Sequence, residues 1–349
     1  MSDSHPGADS ASTGATNSAA KNDTSLGSGA DPIAVGASGR RRAIIALAVA
    51  VLLIFAVVIA GKLFQDSQAR NAVSLSNPEL PDNDSAICNE IMDRLPGRVD
   101  GLVRAEIAEP VPAGAAVWRD ISDSRVTLRC GTFVPAQYNP LASTFEVDGI
   151  AWLPVSDAAD DNLVTWFSVG RSPVVAVTSS PDHEDALGDL SEALKPDDEY
   201  ATAPEPNPVP LAQMAAPEHD ERCRALEAAL PNEIAGRNRI NSEEHADIDL
   251  GHTVVWASDS SAADDGDVVS LLCGVEMPES YEAGQNVTQI GEVVWFDEPT
   301  LSAGSTSVWF SLGRERLVAV HVPMNQAQTV LPQLSTLIAN NLANTSPSE

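Results

Sequence analysis

Positive charge is what this sequence lacks most. Its 20 lysines and arginines stand against 50 aspartates and glutamates, a formal net charge of −30 at neutral pH. Nucleic acid is held by clustered Lys and Arg, so it is excluded as a partner. Docking on anionic lipid headgroups is disfavoured for the same reason. An acidic surface instead keeps a protein soluble and apart from its neighbours. Histidine is scarce as well: His183, His219, His245, His252 and His321 share no spacing. There is no H-E-x-x-H helix, no G-x-S-x-G elbow, no Walker loop and no Rossmann glycine pattern. No catalytic residue, metal ligand set or cofactor site can be nominated, and the chain reads as a non-enzyme.

Long apolar runs are absent except for one. Ala43 to Gly61 carries no charge. As a helix it spans about 28 Å, close to the roughly 30 Å hydrocarbon core. Arg40, Arg41 and Arg42 stand directly before it. The positive-inside rule therefore leaves the N-terminus in the cytoplasm and sends the rest across the membrane. A cleaved signal peptide is the rival reading, but the apolar run is longer than the usual h-region and the preceding tail is long. The expectation is an uncleaved single-pass anchor at 43–61. Residues 1–39, rich in Ser, Ala, Gly, Asp and Thr, cannot bury enough surface to offset ordering entropy and read as a disordered cytoplasmic tail. Residues 62–83 read as a juxtamembrane spacer.

The chain beyond that spacer is written twice. Val164-Thr165-Trp166-Phe167-Ser168-Val169-Gly170-Arg171 returns 143 residues later as Ser307-Val308-Trp309-Phe310-Ser311-Leu312-Gly313-Arg314. Cys130-Gly131 returns as Cys273-Gly274, and Trp152 as Trp295, at the same offset. Cys88, Leu95 and Pro96 return as Cys223, Leu230 and Pro231 at an offset of 135, and Trp118 pairs with Trp256. A unit of this length is an autonomous domain rather than a solenoid repeat. The two copies are expected at 84–195 and 220–341, with 342–349 a disordered end. Between them, 196–219 is Pro-rich and acidic, with Pro204, Pro206, Pro208 and Pro210 on alternate residues. Such a stretch favours polyproline II and a semi-rigid spacer, which implies two beads on a string.

All four cysteines lie beyond the apolar run. Even counts on an exported side point to disulfides. Four cysteines allow three pairings, and the duplication selects Cys88 with Cys130 and Cys223 with Cys273, one bridge inside each copy. Four buried free thiols are the alternative.

Each copy opens with a helix. Asp84 or Ser85 can cap the first, and Ile87, Ile91 and Leu95 share a face before Pro96-Gly97 ends it. Cys223, Leu226 and Leu230 repeat the pattern before Pro231. Five strand signals come next in each copy, bounded by turn residues. In the first they are 116–118, 126–130, 149–154, 163–168 and 174–178; in the second, 254–257, 268–273, 292–296, 307–311 and 317–322. A closing helix carries Leu187, Leu190 and Leu194 in the first copy and Val330, Leu334, Leu337 and Ile338 in the second. Strands flanked by two helices, without βαβ alternation, predict an α+β fold with a mainly antiparallel sheet.

These residues carry a family resemblance. Cys88, Leu95-Pro96, Trp118, Leu128-Arg129-Cys130-Gly131, Asp148-Gly149, Trp152 and Gly170-Arg171 resemble, as a set, the actinobacterial family known as domain of unknown function 3515. The second copy departs from the pattern. A longer acidic insert precedes Cys273, Leu272 replaces the arginine before the cysteine, and Gly291-Glu292 replaces the aspartate-glycine. The resemblance covers 84–341 in two passes. It implies a membrane-anchored or secreted envelope protein and supplies no mechanism.

Candidate ligand residues are then few. Trp152, Trp166, Trp295 and Trp309 sit in apolar strands and read as core. Trp118 and Trp256 lie at strand ends and are the better candidates for an exposed pair. Arg171 and Arg314 come after a glycine in equivalent turns, and a guanidinium there could hold a carboxylate or phosphate group. The acidic runs Asp157, Asp160, Asp161 and Asp264, Asp265, Gly266, Asp267 lack the spacing of an EF-hand loop and read as solvated hairpin tips rather than calcium sites. The whole reads as a non-catalytic envelope module, fixed to the cytoplasmic membrane, that binds an unidentified protein or cell-wall component. The alternative is an enzyme of envelope metabolism with a carboxylate and arginine site.

Overall fold

The structure, a computed structural model, describes residues 37–345 apart from 123, 158–159, 161, 196–201, 259–266 and 303. Residues 1–36 of the expected N-terminal tail, Asp161, the acidic insert at Asp264, Asp265 and Gly266, the start of the linker and the last four residues lie outside the described residues, while 37–39 already belong to the first helix. The chain divides into two units within its first helix, at Ile59/Ala60. Helix α1 spans Ala37–Ala69. It is the one described helix long and apolar enough to cross a membrane, with the candidate span at Arg40–Ala69. The helix outruns the apolar stretch because no breaker comes after Gly61 until Asn71.

Beyond it, each repeat builds one eight-stranded sheet covered on one face by two helices. The first comprises α2 (Ala86–Arg94), β1 (Arg98–Val99), β2 (Leu102–Arg104), β3 (Ala115–Arg119), β4 (Arg125–Thr132), β5 (Phe145–Val147), β6 (Ile150–Ser156), β7 (Val164–Ser168), β8 (Val174–Ser179) and α3 (Ala186–Leu194). The second comprises α4 (Glu221–Ala229), β9 (Glu233–Ile234), β10 (Arg237–Arg239), β11 (Val254–Ala257), β12 (Val269–Cys273), β13 (Thr288–Ile290), β14 (Val293–Asp297), β15 (Thr306–Leu312), β16 (Val318–Pro323) and α5 (Ala327–Asn341). The spatial orders are β1-β2-β3-β4-β8-β7-β6-β5 and β9-β10-β11-β12-β16-β15-β14-β13, one topology realised twice. Every pairing within the two sheets is antiparallel. The predicted α+β class holds. The added strands β1, β2, β5, β9, β10 and β13 have two or three residues each, too short to show a period of two. Asp100 and Gly101, both at positive φ, make the tight β1–β2 turn.

The cores arise from the helix and strand patterns. In the first repeat Cys88 and Ile91 of α2 and Leu187, Leu190 and Leu194 of α3 close over Trp118, Leu128, Trp152 and Trp166. In the second, Leu226 of α4 and Val330, Leu334 and Ile338 of α5 close over Trp256, Leu271 and Trp295. Ser85 caps α2 by accepting from Cys88 N at 3.2 Å. Asp220 caps α4 by accepting from Arg222 N at 2.8 Å. Each first helix is stapled to the central strand, with Cys88 bonded to Cys130 and Cys223 to Cys273. The glycine after each strand cysteine is forced by packing. A Cβ at Gly131 would lie 2.2 Å from the carbonyl carbon of Asp82, and one at Gly274 would lie 2.4 Å from His219 N. The chain entering each repeat crosses there, with Asp82 N bonded to Gly131 O at 3.3 Å and Glu218 N to Gly274 O at 3.0 Å.

Three expectations are corrected. The segment 62–83 is not a bare spacer: Val73 pairs in parallel with Ile107, and α1 runs to Ala69. Nor is the Pro-rich stretch a free spacer between beads. Val209 and Leu211 are buried, Asn207 Nδ2 donates to Pro135 O at 2.9 Å, and Ser270 Oγ donates to Pro210 O at 2.9 Å. Val209 comes just before the turn at 210–213 and Leu211 lies within it, at φ +68, and both side chains have sheet to pack on. Asn71, Val73, Leu75 and Pro81 return as Asn207, Val209, Leu211 and Pro217, so each repeat begins upstream of its first helix. The repeats also touch directly. Leu141 of the first packs with Leu250, Val255 and Val268 of the second, and Gln137 Nε2 donates to Ser305 Oγ at 3.0 Å. Finally, the end of the chain is ordered through Thr345: Leu342 is buried in the second core and Asn344 bridges to Arg314.

Candidate functional site

The aromatic candidates resolve first. Trp118 and Trp256 are both fully buried, against the expectation of exposure. Each sits on the helix-covered face of its sheet, and its indole N–H donates to the carbonyl after the helix, Pro96 O or Pro231 O, at 2.9 Å in both cases. They are interior braces and offer no stacking surface. The polar loop after each strand had suggested exposure, but the first helix and its trailing Leu-Pro close over the ring.

Each brace has an arginine that sequence reasoning missed. Arg104 lies against Trp118, 5.9 Å from the ring centroid, and donates to Leu95 O and Met92 O. Its counterpart Arg239 donates to Leu230 O and Glu227 O. These four carbonyls lie at the ends of helices α2 and α4, where main-chain acceptors run short of partners; Glu227 O also accepts from Leu230 N at 3.3 Å. Burial pushes the Arg104 pKa below the ordinary arginine value. The signal was available, since Arg104 and Arg239 are separated by the same 135 residues as the Leu-Pro pairs.

The two Gly-Arg turns have diverged. In the second repeat, between β15 and β16, Arg314 is 9% exposed. Its guanidinium donates to Leu342 O at 3.1 Å and to Glu292 O. Residues 342–345 lie along the turn: Glu315 N donates to Ala343 O and Thr345 N to Gly313 O, both at 2.9 Å. Ala343 N donates to Glu315 Oε1 at 3.0 Å. Arg314 is thus a structural clamp on the chain's own C-terminal segment, a correction to its reading as a ligand residue. In the first repeat, between β7 and β8, Arg171 is half-buried and makes no hydrogen bond or ion pair among the described residues. Burial pushes its pKa below the ordinary value. It lines a shallow depression with Ile87, Ile91, Arg94, Pro173 and Leu194. The turns also differ in path: Gly313 has φ +69 while Gly170 avoids the left-handed region.

The uncovered faces of the sheets diverge in the same sense. In the second repeat Leu211 packs on Leu272, Val308, Phe310 and Ala319, so the chain's own segment covers that face. The counterparts in the first repeat are Arg129, Thr165, Phe167 and Ala176. There Arg129 reaches Ser76 O at 2.8 Å, and a groove of about 670 Å³ stays open beside Leu80, Phe133, Val155 and Phe167, reaching Gly304. Phe133 is 63% exposed.

Asp157 and Asp160 close local turns, accepting from Asp160 N at 3.1 Å and Asn162 N at 3.0 Å. Asp267 is buried rather than at a solvated tip, accepting from Val268 N at 2.8 Å, because β12 begins beside it and Arg237 Nε binds its carbonyl. Among the described residues no three His, Cys, Asp or Glu side chains are placed to hold a metal ion.

One apolar helix followed by two fused, disulfide-stapled α+β repeats defines a tandem-repeat protein with an oxidised folded region. The family described as Protein of unknown function (DUF3515) matches residues 47–199 and again 195–347. The chain belongs to that family, as a tandem duplication. Both matches take in the entry segment of their repeat, in agreement with the upstream extension seen at Asn71 and Asn207. No curated protein and no solved structure matches the chain.

Proposed function

We propose that this protein is a membrane-anchored, extracytoplasmic binding module in which the first repeat carries the ligand site and the second acts as its support. Helix α1 is the anchor, Arg40–Arg42 hold the N-terminus in the cytoplasm, and the disulfide-bearing repeats stand outside the cytoplasmic membrane, in the envelope. The reading is non-catalytic, with a protein or wall component as partner.

The observation that carries it is the contrast between Arg171 and Arg314. A half-buried guanidinium lacking an acceptor has lost hydration without compensation, and an incoming acceptor restores what was lost. The second repeat meets this requirement internally, with two carbonyls on Arg314. The first leaves it open among the described residues. Equilibrium binding of labelled wall fragments and of envelope proteins to the full-length protein in detergent tests the reading. Saturable binding without turnover, lost in Arg171→Ala, supports it. Turnover of a wall fragment supports an envelope enzyme instead, and binding untouched by Arg171→Ala removes Arg171 from the site. Protease added outside wall-stripped cells checks the topology: it should digest the repeats and spare the segment before Arg40.

A further inference from the structure

A second hollow opens on the uncovered face of the second repeat, apart from Arg171. It is a groove of about 450 Å³ between the linker and strands β15 and β16. That volume falls within the range of small-molecule sites. Pro208, Pro210, Leu211, Met214, Leu301 and Val308 form most of its wall, and Ala136 of the first repeat adjoins them. The wall is set before any ligand arrives. Pro208 and Pro210 restrict the backbone, Val209 is buried, and Ser270 Oγ donates to Pro210 O at 2.9 Å.

His321 belongs to this wall and is 5% exposed. Burial pushes its pKa down to about 4, so the ring is neutral at ordinary pH. Its one proton sits on Nδ1, which donates to Val268 O at 3.1 Å. Nε2 is then a bare acceptor, and it makes no hydrogen bond among the described residues. The first repeat fills the same position differently. There Thr178 faces Thr165 across β7 and β8, and their hydroxyls bond at 2.8 Å. In the second repeat His321 faces Val308, whose side chain offers no partner. Burying an acceptor without a donor is unfavourable, and an incoming donor restores what was lost. Among the described residues no Asp, Glu, Lys or Arg lines the groove, although the chain carries a net charge of −30. A charged ligand would lose hydration there and find no counter-ion.

We propose that this groove binds a neutral, largely apolar small molecule through one hydroxyl or amide N–H that donates to His321 Nε2. The apolar wall supplies most of the affinity, and the ring supplies selectivity for a donor. A molecule of equal size without the donor leaves Nε2 unpaired and binds more weakly. The site does not involve Arg171. It gives the second repeat a recognition role beyond support, and it stands or falls separately from the site on the first repeat.

The test uses the full-length protein in detergent and a diazirine-bearing octanol, with adducts mapped by mass spectrometry. Adducts at Met214, Leu301 and Val308 should saturate at about millimolar concentration or tighter. Helix α1 is the internal control, because label that merely partitions with the detergent rises there without saturating. Octan-1-ol should displace the groove label about ten-fold more effectively than octyl methyl ether, which has the same chain and no donor. His321→Phe keeps an aromatic ring, removes the acceptor, and should make the two competitors equal. Ala136→Trp, at an exposed position, should fill the groove and suppress its label while sparing that on α1. Arg171→Ala should leave every one of these readings unchanged. Where His321→Phe fails to fold, the two competitors on the wild type and the Ala136→Trp variant decide. Groove label that never saturates, competitors of equal strength on the wild type, a preference that survives His321→Phe, or indifference to Ala136→Trp overturns the proposal. Octanoate displacing the label better than octan-1-ol overturns the neutral class.

Discussion

Replacing the two equivalent arginines by alanine should have unequal consequences. Arg314 is 9% exposed and donates to the carbonyls of Leu342 and Glu292. Hydrogen bonds from a charged donor contribute about 1.5 to 3 kcal/mol each, and orphaned buried acceptors add a desolvation penalty. The two bonds share one side chain and are not independent, so Arg314→Ala should cost about 4 kcal/mol. Release of residues 342–345 is part of that figure, because Leu342 leaves the core when its anchor goes. Arg171 makes no such bond among the described residues, and Arg171→Ala should stay within about 1 kcal/mol of wild type. For a unit of this size 1 kcal/mol moves the midpoint by about 2 to 4 °C, so the Arg314 variant should melt roughly 10 °C lower. Calorimetry or circular dichroism on the full-length protein reads this directly. Limited proteolysis should release a C-terminal fragment from Arg314→Ala and none from Arg171→Ala. Equal losses in the two variants would refute the assignment of Arg314 as clamp and Arg171 as free donor.

Three further outcomes are expected. Thiol titration of the denatured, unreduced protein should find no free cysteine; replacing Cys88 and Cys130 by serine should cost about 4 kcal/mol by the loop-entropy argument, and the packed linker and Leu141 should pass part of that loss to the second repeat. His321 is buried with Nδ1 donating to Val268 O, and burial pushes its pKa down to about 4, below the unfolded value near 6.5. The unfolded state then takes up a proton that the folded state refuses, so stability falls as pH drops from about 6.5 toward 4; between about pH 7 and 5 this amounts to roughly 2 kcal/mol in urea titrations, a slope His321→Gln should flatten. Trp118→Phe and Trp256→Phe should each cost about 1 to 3 kcal/mol through the orphaned Pro96 or Pro231 carbonyl, and neither should alter ligand binding; a binding loss at unchanged stability would restore them as site residues.

The sequence by itself determined the repeat, the disulfide pairing, the fold class and the single apolar helix. Each is a local or self-referencing signal. Two copies of one pattern identify equivalent positions, and a cysteine pair repeated at matching places leaves one consistent pairing. Covalent chemistry and hydrophobic periodicity do the rest. Tertiary structure alone decided whether equivalent residues do equivalent work. Trp118 and Trp256 are buried because helix ends from earlier in the chain close over them, which no strand-end position reveals. Gly170-Arg171 and Gly313-Arg314 are the same words in both copies. Among the described residues their surroundings differ: α5 runs past Ile338 and brings Leu342 back across the turn of Arg314, while α3 ends at Leu194. The linker shows the same principle. Alternate prolines restrict the backbone, but only the apolar face opposite decides that Val209 and Leu211 pack rather than span solvent. Burial depends on what arrives from elsewhere in the chain, and sequence distance carries no record of that arrival.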